Sequence, residues 1–230
     1  MARCLICGTR KAAEKLPRAR CTGCRAVPRT EVLGLAILRA APPISGKPVV
    51  HISPEPALIQ MMRLRYGSTW KPADFDPPRW KNAKLPEVDF IDLTDPLRFY
   101  GRESIHGWIH SHVIEHVPAP IDQIFESMNA AVAPSGFHAF IVPGPYPPKY
   151  DEDLNQDMPR EDRIKRFRHP EHMRMFGRDD WPEMVERHFK GWKRVDLGKL
   201  ISKSELRDAG IETRVFERLT GKTVHLYIKS

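Results

Sequence analysis

The apolar positions of this chain form two kinds of pattern, which are short continuous runs and longer stretches with helical spacing. An amphipathic helix is predicted over 121–132, because apolar side chains recur there at i, i+3, i+4 and i+7: Ile121, Ile124, Phe125, Met128 and Val132. An apolar run at 32–38 predicts a second helix, and Pro56 marks the first turn of a third over 56–65. Short buried strands are predicted over 48–55, 88–91, 105–111 and 137–142.

The last thirty residues contain clearer signals for the start and the end of a helix. Ser202 and Glu205 form the pattern of a capping box, which predicts a helix start, and Gly210 predicts the end of that helix. Two further strands are predicted over 211–218 and 223–229, joined as a hairpin. Strands that alternate with helices and close on a hairpin predict an α/β fold with one open sheet.

Open α/β sheets bind ligands at the carboxyl ends of their strands. Those ends are predicted at 51–55, 92–95 and 111–116, and each contains Asp, Glu, Ser or His side chains. Residues 143–181 have little periodicity, are dense in charge, Pro and Met, and are long for a connection. Such a segment is typical of a functional lid or a disordered loop.

The composition excludes several classes of protein. The chain has 230 residues, 41% of them apolar and 29% charged, which is ordinary for one soluble globular domain with a small appendage. No apolar run is long enough to span a membrane, and the first residues lack the apolar core of a signal peptide. We therefore expect a cytoplasmic protein that does not act at a membrane.

The net charge of +8 is distributed unevenly. Residues 1–40 hold nine basic and two acidic side chains, a balance of +7, whereas the other 190 residues hold 28 and 27. The sequence therefore predicts two parts, a basic head at 1–40 that ends in a connecting helix and a nearly neutral body at 41–230.

All four cysteines lie in the head, as two CxxC pairs separated by thirteen residues: Cys4, Cys7, Cys21 and Cys24. Four thiolates in this spacing match tetrahedral Zn²⁺, and a site closed in this way is structural. Disulfides are disfavoured in the cytosol, and a redox motif does not need a second CxxC. A mononuclear iron site has the same ligand set and stays open as an alternative.

The segment that follows the fourth predicted strand begins SHVIEHV (111–117) and continues through a helix to SGFHAFIV (135–142). It resembles motif IV and the following helix, turn and strand of class I S-adenosylmethionine-dependent methyltransferases. More narrowly, the chain resembles bacterial members that begin with a four-cysteine zinc knuckle and carry HIAPE in place of the usual glycine-rich loop. Here that motif is VHISPE (50–55). The likeness continues in the expected order through YGSTWKPADFDP (66–77), IDLTDPL (91–97) and HPEHMRMFGRDDW (169–181).

The resemblance implies a Rossmann-like sheet of seven strands with helices on both faces, beside a small zinc ribbon. It also implies S-adenosylmethionine as the cofactor. By position in the motifs, the implied cofactor-binding residues are His51, Ser53, Pro54, Glu55, Asp74, Asp76, Asp92, Leu93, Ser111 and His112. One of the aspartates Asp74 and Asp76 would accept the ribose hydroxyls, although both are flanked by prolines and suit a turn equally well. The chain departs from the family in lacking the glycine-rich loop.

Three histidines are candidates for the catalytic base: His112, His116 and His172. The resemblance puts His172 on the lid side of the pocket, together with Arg174 and Asp180. His112 and His116 also have the i, i+4 spacing of a metal pair, but the glutamate is not in HExxH order and no third ligand is evident. We therefore expect no catalytic metal here. A structural hydrogen bond at the strand end is the alternative role for His112.

Three functions follow from these observations. The first is methyl transfer to oxygen or nitrogen of a small-molecule or glycan-type acceptor, which the nearly neutral body favours. The second is an RNA methyltransferase that docks through the basic head. The third is a non-catalytic, zinc-stabilised interaction module, which the missing glycine-rich loop favours. The oligomeric state does not follow from the sequence.

Overall fold

A computed structural model of the protein describes residues 2–11, 20–81, 87–144 and 146–230. Its main feature is a seven-stranded sheet in the order β3-β2-β1-β4-β5-β9-β8. The strands of this sheet are β1 (Val49–Ile52), β2 (Trp70–Asp74), β3 (Asp89–Phe90), β4 (Ile105–Ser111), β5 (Val132–Ile141), β8 (Trp192–Arg194) and β9 (His225–Lys229). The first five strands run parallel, and β9 is antiparallel to both of its neighbours. The predicted seven-stranded Rossmann-like sheet is therefore confirmed.

Helices cover both faces of the sheet. They are α1 (Pro28–Ala40), α2 (Ile59–Tyr66), α3 (Ile121–Ala131), α4 (Arg160–Phe167), α5 (Trp181–His188), α6 (Leu197–Leu200) and α7 (Lys203–Asp208). One hydrophobic core joins α1, α2, α6 and α7 to the sheet, and the other joins α3 and α5 to the opposite face. The capping box at Ser202 and Glu205 is present as predicted. None of the helices in the described part of the chain is long and apolar enough to cross a membrane.

The prediction of a C-terminal hairpin is wrong for the first of its two strands, the one at 211–218. Residues 211–218 form turns, and the antiparallel partner of β9 on that edge is β8, at Trp192–Arg194. Ile211 and Val215 are buried in the same core as α6 and α7. Their apolar character therefore reflects packing on helices, which a hydrophobic pattern does not separate from strand pairing.

The described part of residues 143–181 contains several short elements. It contains α4, the start of α5 and a two-stranded ladder of β6 (Asp151–Glu152) with β7 (Arg174–Met175). Residue 145 lies outside the described residues.

The start of the chain is held against α1 and α7 by buried polar contacts of Lys11. Lys11 Nζ lies 2.5 Å from Glu31 Oε1, both side chains are almost fully buried, and the same ammonium donates to the carbonyl of Ala209 at 2.8 Å. Glu31 Oε2 accepts from the amide of Leu5 at 2.9 Å. Since Glu31 belongs to α1, these bonds tie the start of the chain to α1 and to the end of α7. Residues 1 and 12–19 of the predicted head lie outside the described residues.

Replacing Lys11 by Met should lower the free energy of unfolding by about 3–5 kcal/mol, because it leaves the Glu31 carboxylate buried without a counter-charge. The double variant Lys11→Met/Glu31→Gln should recover at least about 2 kcal/mol, because an amide carries no charge and still accepts from Leu5. Urea unfolding of the three proteins checks both values. A loss below about 1 kcal/mol in the single variant would contradict a docking role for this pair.

The body buries histidines that carry no charge at neutral pH. His110 Nε2 lies 2.9 Å from His138 Nε2, His138 Nδ1 donates to Asn129 Oδ1 at 2.9 Å, and the ring of His225 stacks on Phe140 with centroids 4.8 Å apart. Burial lowers the pKa of His110 and of His225 to about 3, and it holds the pKa of His138 well below its usual value. These imidazoles pack as polar members of an aromatic core.

Acid should destabilise the fold through these groups. An unfolded histidine binds a proton below about pH 6.5. Native His225 binds one only near pH 3, so the free energy of unfolding falls as the pH drops through this interval. His225→Phe should reduce the slope of unfolding free energy against pH, between about pH 5.5 and pH 4.5, by about 1.4 kcal/mol per pH unit. Urea titrations at three pH values check this, and an unchanged slope would contradict it.

Candidate functional site

The sheet order reverses between β1 and β4, which makes the crevice at their carboxyl ends the expected ligand site. The chain leaves both strands in a strained conformation. Ser53 follows β1 with φ of 47°, and His112 follows β4 with φ of 57°. Non-glycine residues in this region cost about 1–3 kcal/mol and cluster at functional sites. These two turns replace the backbone freedom that a glycine-rich loop would give.

The loop after β1 is organised by its own side chains. His51 Nε2 lies 2.7 Å from Glu55 Oε2, and Ser53 Oγ donates to Asp74 Oδ2 at 2.7 Å. Pro54 is buried between them. Glu55 Oε1 is buried with no hydrogen-bond partner. An orphaned carboxylate oxygen at a strand end is a place where a ligand donor would be accepted.

The two aspartates after β2 have different environments. Asp74 is buried as the last residue of β2; it pairs with Arg79 at 3.0 Å and accepts from the amide of Asp76 at 2.8 Å. Asp76 is exposed. Asp74 therefore also shapes the turn, and its carboxylate lies nearer the crevice.

Asp92 and Leu93 follow β3. Asp92 Oδ1 accepts from the amide of Thr94 at 2.9 Å, so this carboxylate caps a turn, and its side chain is half-buried. Leu93 is buried in the core on the α3 side of the sheet. Their contact with a cofactor stays a prediction.

At the end of β4, Ser111 Oγ and His112 Nε2 are buried without hydrogen-bond partners. Burial lowers the pKa of His112 to about 4, and the nearby Arg29 guanidinium acts in the same direction, while a hydrogen bond with the Gly221 backbone opposes them. The imidazole is therefore neutral at physiological pH. Glu115 is fully buried, both of its oxygens lack partners, and burial raises its pKa to about 8.

Two cavities meet at His112 and Gly144, which line both. The larger has a volume of about 1200 Å³ and is lined by the start of α1, with Arg29, by Arg178 and Asp179, and by the loop from Glu217 to Lys222. The smaller has about 320 Å³ and is lined, besides His112, by Glu115, three further histidines and residues of the 167–176 segment. The sequence did not mark Arg29 or the 217–222 loop, because both reach the site only through the tertiary fold.

The three further histidines of the smaller cavity, His116, His169 and His172, form a group. Their ring centroids lie 4.2–5.3 Å apart, and one nitrogen of each lies within 4.8 Å of the others. Burial, reinforced by the neighbouring histidines, lowers the pKa of His172 to about 3. His112 is not part of this group, although its i, i+4 spacing with His116 is that of a metal pair.

Arg174 holds the loop after β4 in place. Its buried guanidinium donates to the carbonyls of Ile114, Val117 (2.8 Å) and Ala119, and pairs with Glu152 at 2.8 Å. These bonds occupy the side chain that the resemblance put on the lid side of the pocket. Asp180 likewise accepts from the amide of Tyr150.

The four cysteines of the head converge. The Sγ atoms of Cys4 and Cys24 are 3.6 Å apart, those of Cys7 and Cys21 are 3.5 Å apart, and all four lie within 4.8 Å of one another as free thiols. Tetrahedral Zn²⁺ with Zn–S bonds of about 2.3 Å needs sulfur separations of about 3.8 Å. The cluster therefore suits a four-thiolate metal site.

Solved structures share this fold. A methyltransferase dependent on S-adenosylmethionine from Mesorhizobium loti aligns with a TM-score of 0.56 and 10% identity, over 90% of this chain and 99% of its own. A chain from the complex between the Haloferax volcanii Trm112 methyltransferase activator and its partner, which is named a methyltransferase, aligns with a TM-score of 0.50 and 17% identity, over 87% and 88%. No protein-family model and no curated protein matches the chain. The sheet is thus the Rossmann-like sheet of methyltransferases.

Arg174→Lys should lower the free energy of unfolding by about 2–4 kcal/mol, because one ammonium does not replace a guanidinium that serves three carbonyls and a carboxylate. Arg166→Lys is the matched control. Arg166 is exposed and ion-paired with Asp151 and Asp153, so its replacement should cost less than about 1 kcal/mol. Urea unfolding compares the two, and equal losses would contradict the clamp.

Proposed function

We propose that this chain is an S-adenosylmethionine-dependent methyltransferase. The observation that carries the proposal is a set of buried polar atoms without partners at the ends of β1 and β4: Glu55 Oε1, Ser111 Oγ and His112 Nε2. Native proteins rarely leave such atoms unsatisfied, and a polar ligand in the crevice would satisfy them. The strand order and the fold of the two neighbours support this ligand identity.

In this proposal, the residues after the first three strands hold the cofactor. Glu55 and Ser53, with His51 orienting Glu55 and Pro54 restricting the loop, would contact the methionine end. Asp74 would accept from the ribose hydroxyls, with Asp76 further along the same turn. Asp92 and Leu93 would flank the adenine, and Ser111 would close the crevice from the side of β4.

Bound S-adenosylmethionine supplies a methyl group on a sulfonium, which is a good leaving group, so that positioning of the acceptor provides much of the rate enhancement. His112 is neutral at physiological pH and leaves Nε2 unpaired. Its unpaired Nε2 would accept a proton from a hydroxyl or an amine of the acceptor, as a base that burial has weakened. His116 and His172 line the same cavity as His112, where they would contact the acceptor.

The lining of the larger cavity favours a small-molecule or glycan-type acceptor. Most of its basic side chains form ion pairs with acidic ones. Arg178 pairs with Asp179, and Arg218 and Lys222 both pair with Glu212. Arg29 has its Nε unpaired and lies close enough to influence the pKa of His112. A mixed lining of this kind lacks the row of uncompensated cations that tracks a phosphate backbone.

The basic head keeps RNA as a second candidate acceptor. RNA binding through residues 1–40 would weaken steeply with salt, by several powers of ten between about 50 mM and 200 mM. A weak affinity that is insensitive to salt would remove this candidate.

We further propose that the four cysteines bind a structural Zn²⁺, and that residues 1–40 are a zinc ribbon with a connecting helix attached to a methyltransferase domain at 41–230. The cluster geometry supports the metal. The bonds from Lys11 Nζ to the carbonyl of Ala209 and from the amide of Arg3 to the carbonyl of Asp208 support a head fixed to that domain. Residues 143–181, which line the smaller cavity, are proposed as the acceptor-side insertion.

Calorimetry with S-adenosylhomocysteine tests the cofactor site through two adjacent aspartates. Asp74→Asn should weaken binding about tenfold or more, which corresponds to about 1.4 kcal/mol, because the buried carboxylate would accept from the ribose. Asp76→Asn, the matched control in the same turn, should stay within about twofold of the wild type. Thermal unfolding of both variants separates a loss of affinity from a loss of structure.

Wild-type protein that binds no S-adenosylhomocysteine would overturn the enzymatic proposal and favour the zinc-stabilised interaction module. Equal affinities of the two variants and the wild type would overturn the ribose assignment alone.

A further inference from the structure

The smaller cavity brings together three imidazoles from two separate segments. His116 ends the short turn Ile114–His116 that follows β4, while His169 and His172 lie in the loop between α4 and β7. One nitrogen of each histidine lies within 4.8 Å of the others, and all three are half-buried. Three histidine nitrogens at such distances are the ligand set of mononuclear zinc sites that keep one position open.

Hydrogen bonds fix the two segments that carry the histidines to each other and to α4. The amide of Met173 donates to the carbonyl of Glu115 at 2.8 Å, and Arg163 Nη1 donates to the carbonyl of His172 at 3.0 Å. Arg174 ties the same loop to the turn after β4. The histidines therefore meet on a built scaffold and not on two mobile loops.

The orientation of His116 suits a ligand. Its Nδ1 faces the carbonyl of Glu171 at 3.3 Å, where it donates, and this leaves the Nε2 lone pair for a metal. His169 needs one adjustment, because the amide of Glu171 donates to its Nδ1 at 3.2 Å. Ligation through Nε2 of His169 replaces that single surface hydrogen bond by a metal–nitrogen bond.

A second observation at the same place points to a cation. Glu115 is fully buried and lines the same cavity; both of its carboxylate oxygens lack hydrogen-bond partners, and Oε1 lies 3.9 Å from His116 Nε2. A carboxylate directly beside a ligating histidine is a common neighbour of protein metal ions, which it helps to neutralise. A cation in the cavity would interact with the two Glu115 oxygens, which have no hydrogen-bond partner among the described residues.

We propose that His116, His169 and His172 bind one divalent first-row metal ion, of the Zn²⁺ class, at the wall of the smaller cavity, with Glu115 as the adjacent carboxylate. This ion is distinct from the one proposed for the four thiolates, which belong to the head. Three imidazoles leave a coordination position for water or for an oxygen or nitrogen donor of a small molecule.

Metal content of the purified full-length protein in zinc-containing buffer tests the proposal. The wild type should hold two Zn²⁺ per chain, and His169→Gln/His172→Gln should hold one. Arg168→Gln is the matched control, because Arg168 is exposed, lines the same cavity and directly precedes His169, and it should hold two. A double variant that holds as many Zn²⁺ per chain as the wild type would overturn the proposal.

A cobalt titration of the same proteins gives a second readout, once a mild chelator has removed the histidine-bound Zn²⁺ and left the thiolate-bound Zn²⁺ in place. Added Co²⁺ should produce visible d–d absorption without thiolate charge-transfer bands in the wild type and in Arg168→Gln, and the double variant should lose at least about 100-fold in affinity. Equal affinity of the double variant would overturn the site. Unchanged melting temperature of the variants shows that the loss is local. S-adenosylhomocysteine affinity, measured on the same samples, reports separately on the proposed function.

Discussion

The position of β4 at the centre of the sheet is the constraint on which the rest of the site depends. All seven of its residues are buried, and it pairs with β1 on one side and β5 on the other. Trp108 on this strand donates to the carbonyl of Met128 at 2.7 Å, which locks α3 across it. Because parallel strands end at one edge, the register of β4 with β1 fixes where Ser111 and His112 lie relative to Ser53 and Glu55.

The carboxyl edge of the sheet contains features that destabilise the fold, namely backbone strain and buried polar atoms without hydrogen-bond partners. Two non-glycine residues leave their strands with positive φ, and Glu55, Ser111, His112 and Glu115 keep buried polar atoms without partners. Such features persist only where the surroundings over-determine them. Here the surroundings are the two hydrophobic cores on either side of the sheet and the Arg174 guanidinium, which fastens the loop after β4 through three carbonyls.

The basic character of the chain and its proposed chemistry lie in different parts of the molecule. Seven of the eight net charges belong to residues 1–40, whereas the cavities at the ends of the strands have linings of mixed charge. The two parts are nevertheless joined, because Lys11 of the head donates to the carbonyl of Ala209 in the body, and the start of α1, which belongs to the head, lines the larger cavity. The head therefore contributes to the shape of the cavity through α1, while most of its charge lies elsewhere.

The sequence by itself determined the features that depend on local burial or on spacing along the chain. It predicted α3, β1, β4 and the helix capped by Ser202, as well as the convergence of the four cysteines, and its ordered motifs predicted the methyltransferase sheet. Only the tertiary structure decided which strands pair and which distant side chains meet. β8 has three residues, two of them charged and exposed, and Pro72 lies within β2, so neither strand has a clear hydrophobic pattern. Likewise, His169 lies near His116 only because the loop before β7 packs on the turn after β4. The spacing of apolar residues shows which side chains are buried. Strand pairing and unsatisfied hydrogen bonds depend instead on partners that lie far away in the chain.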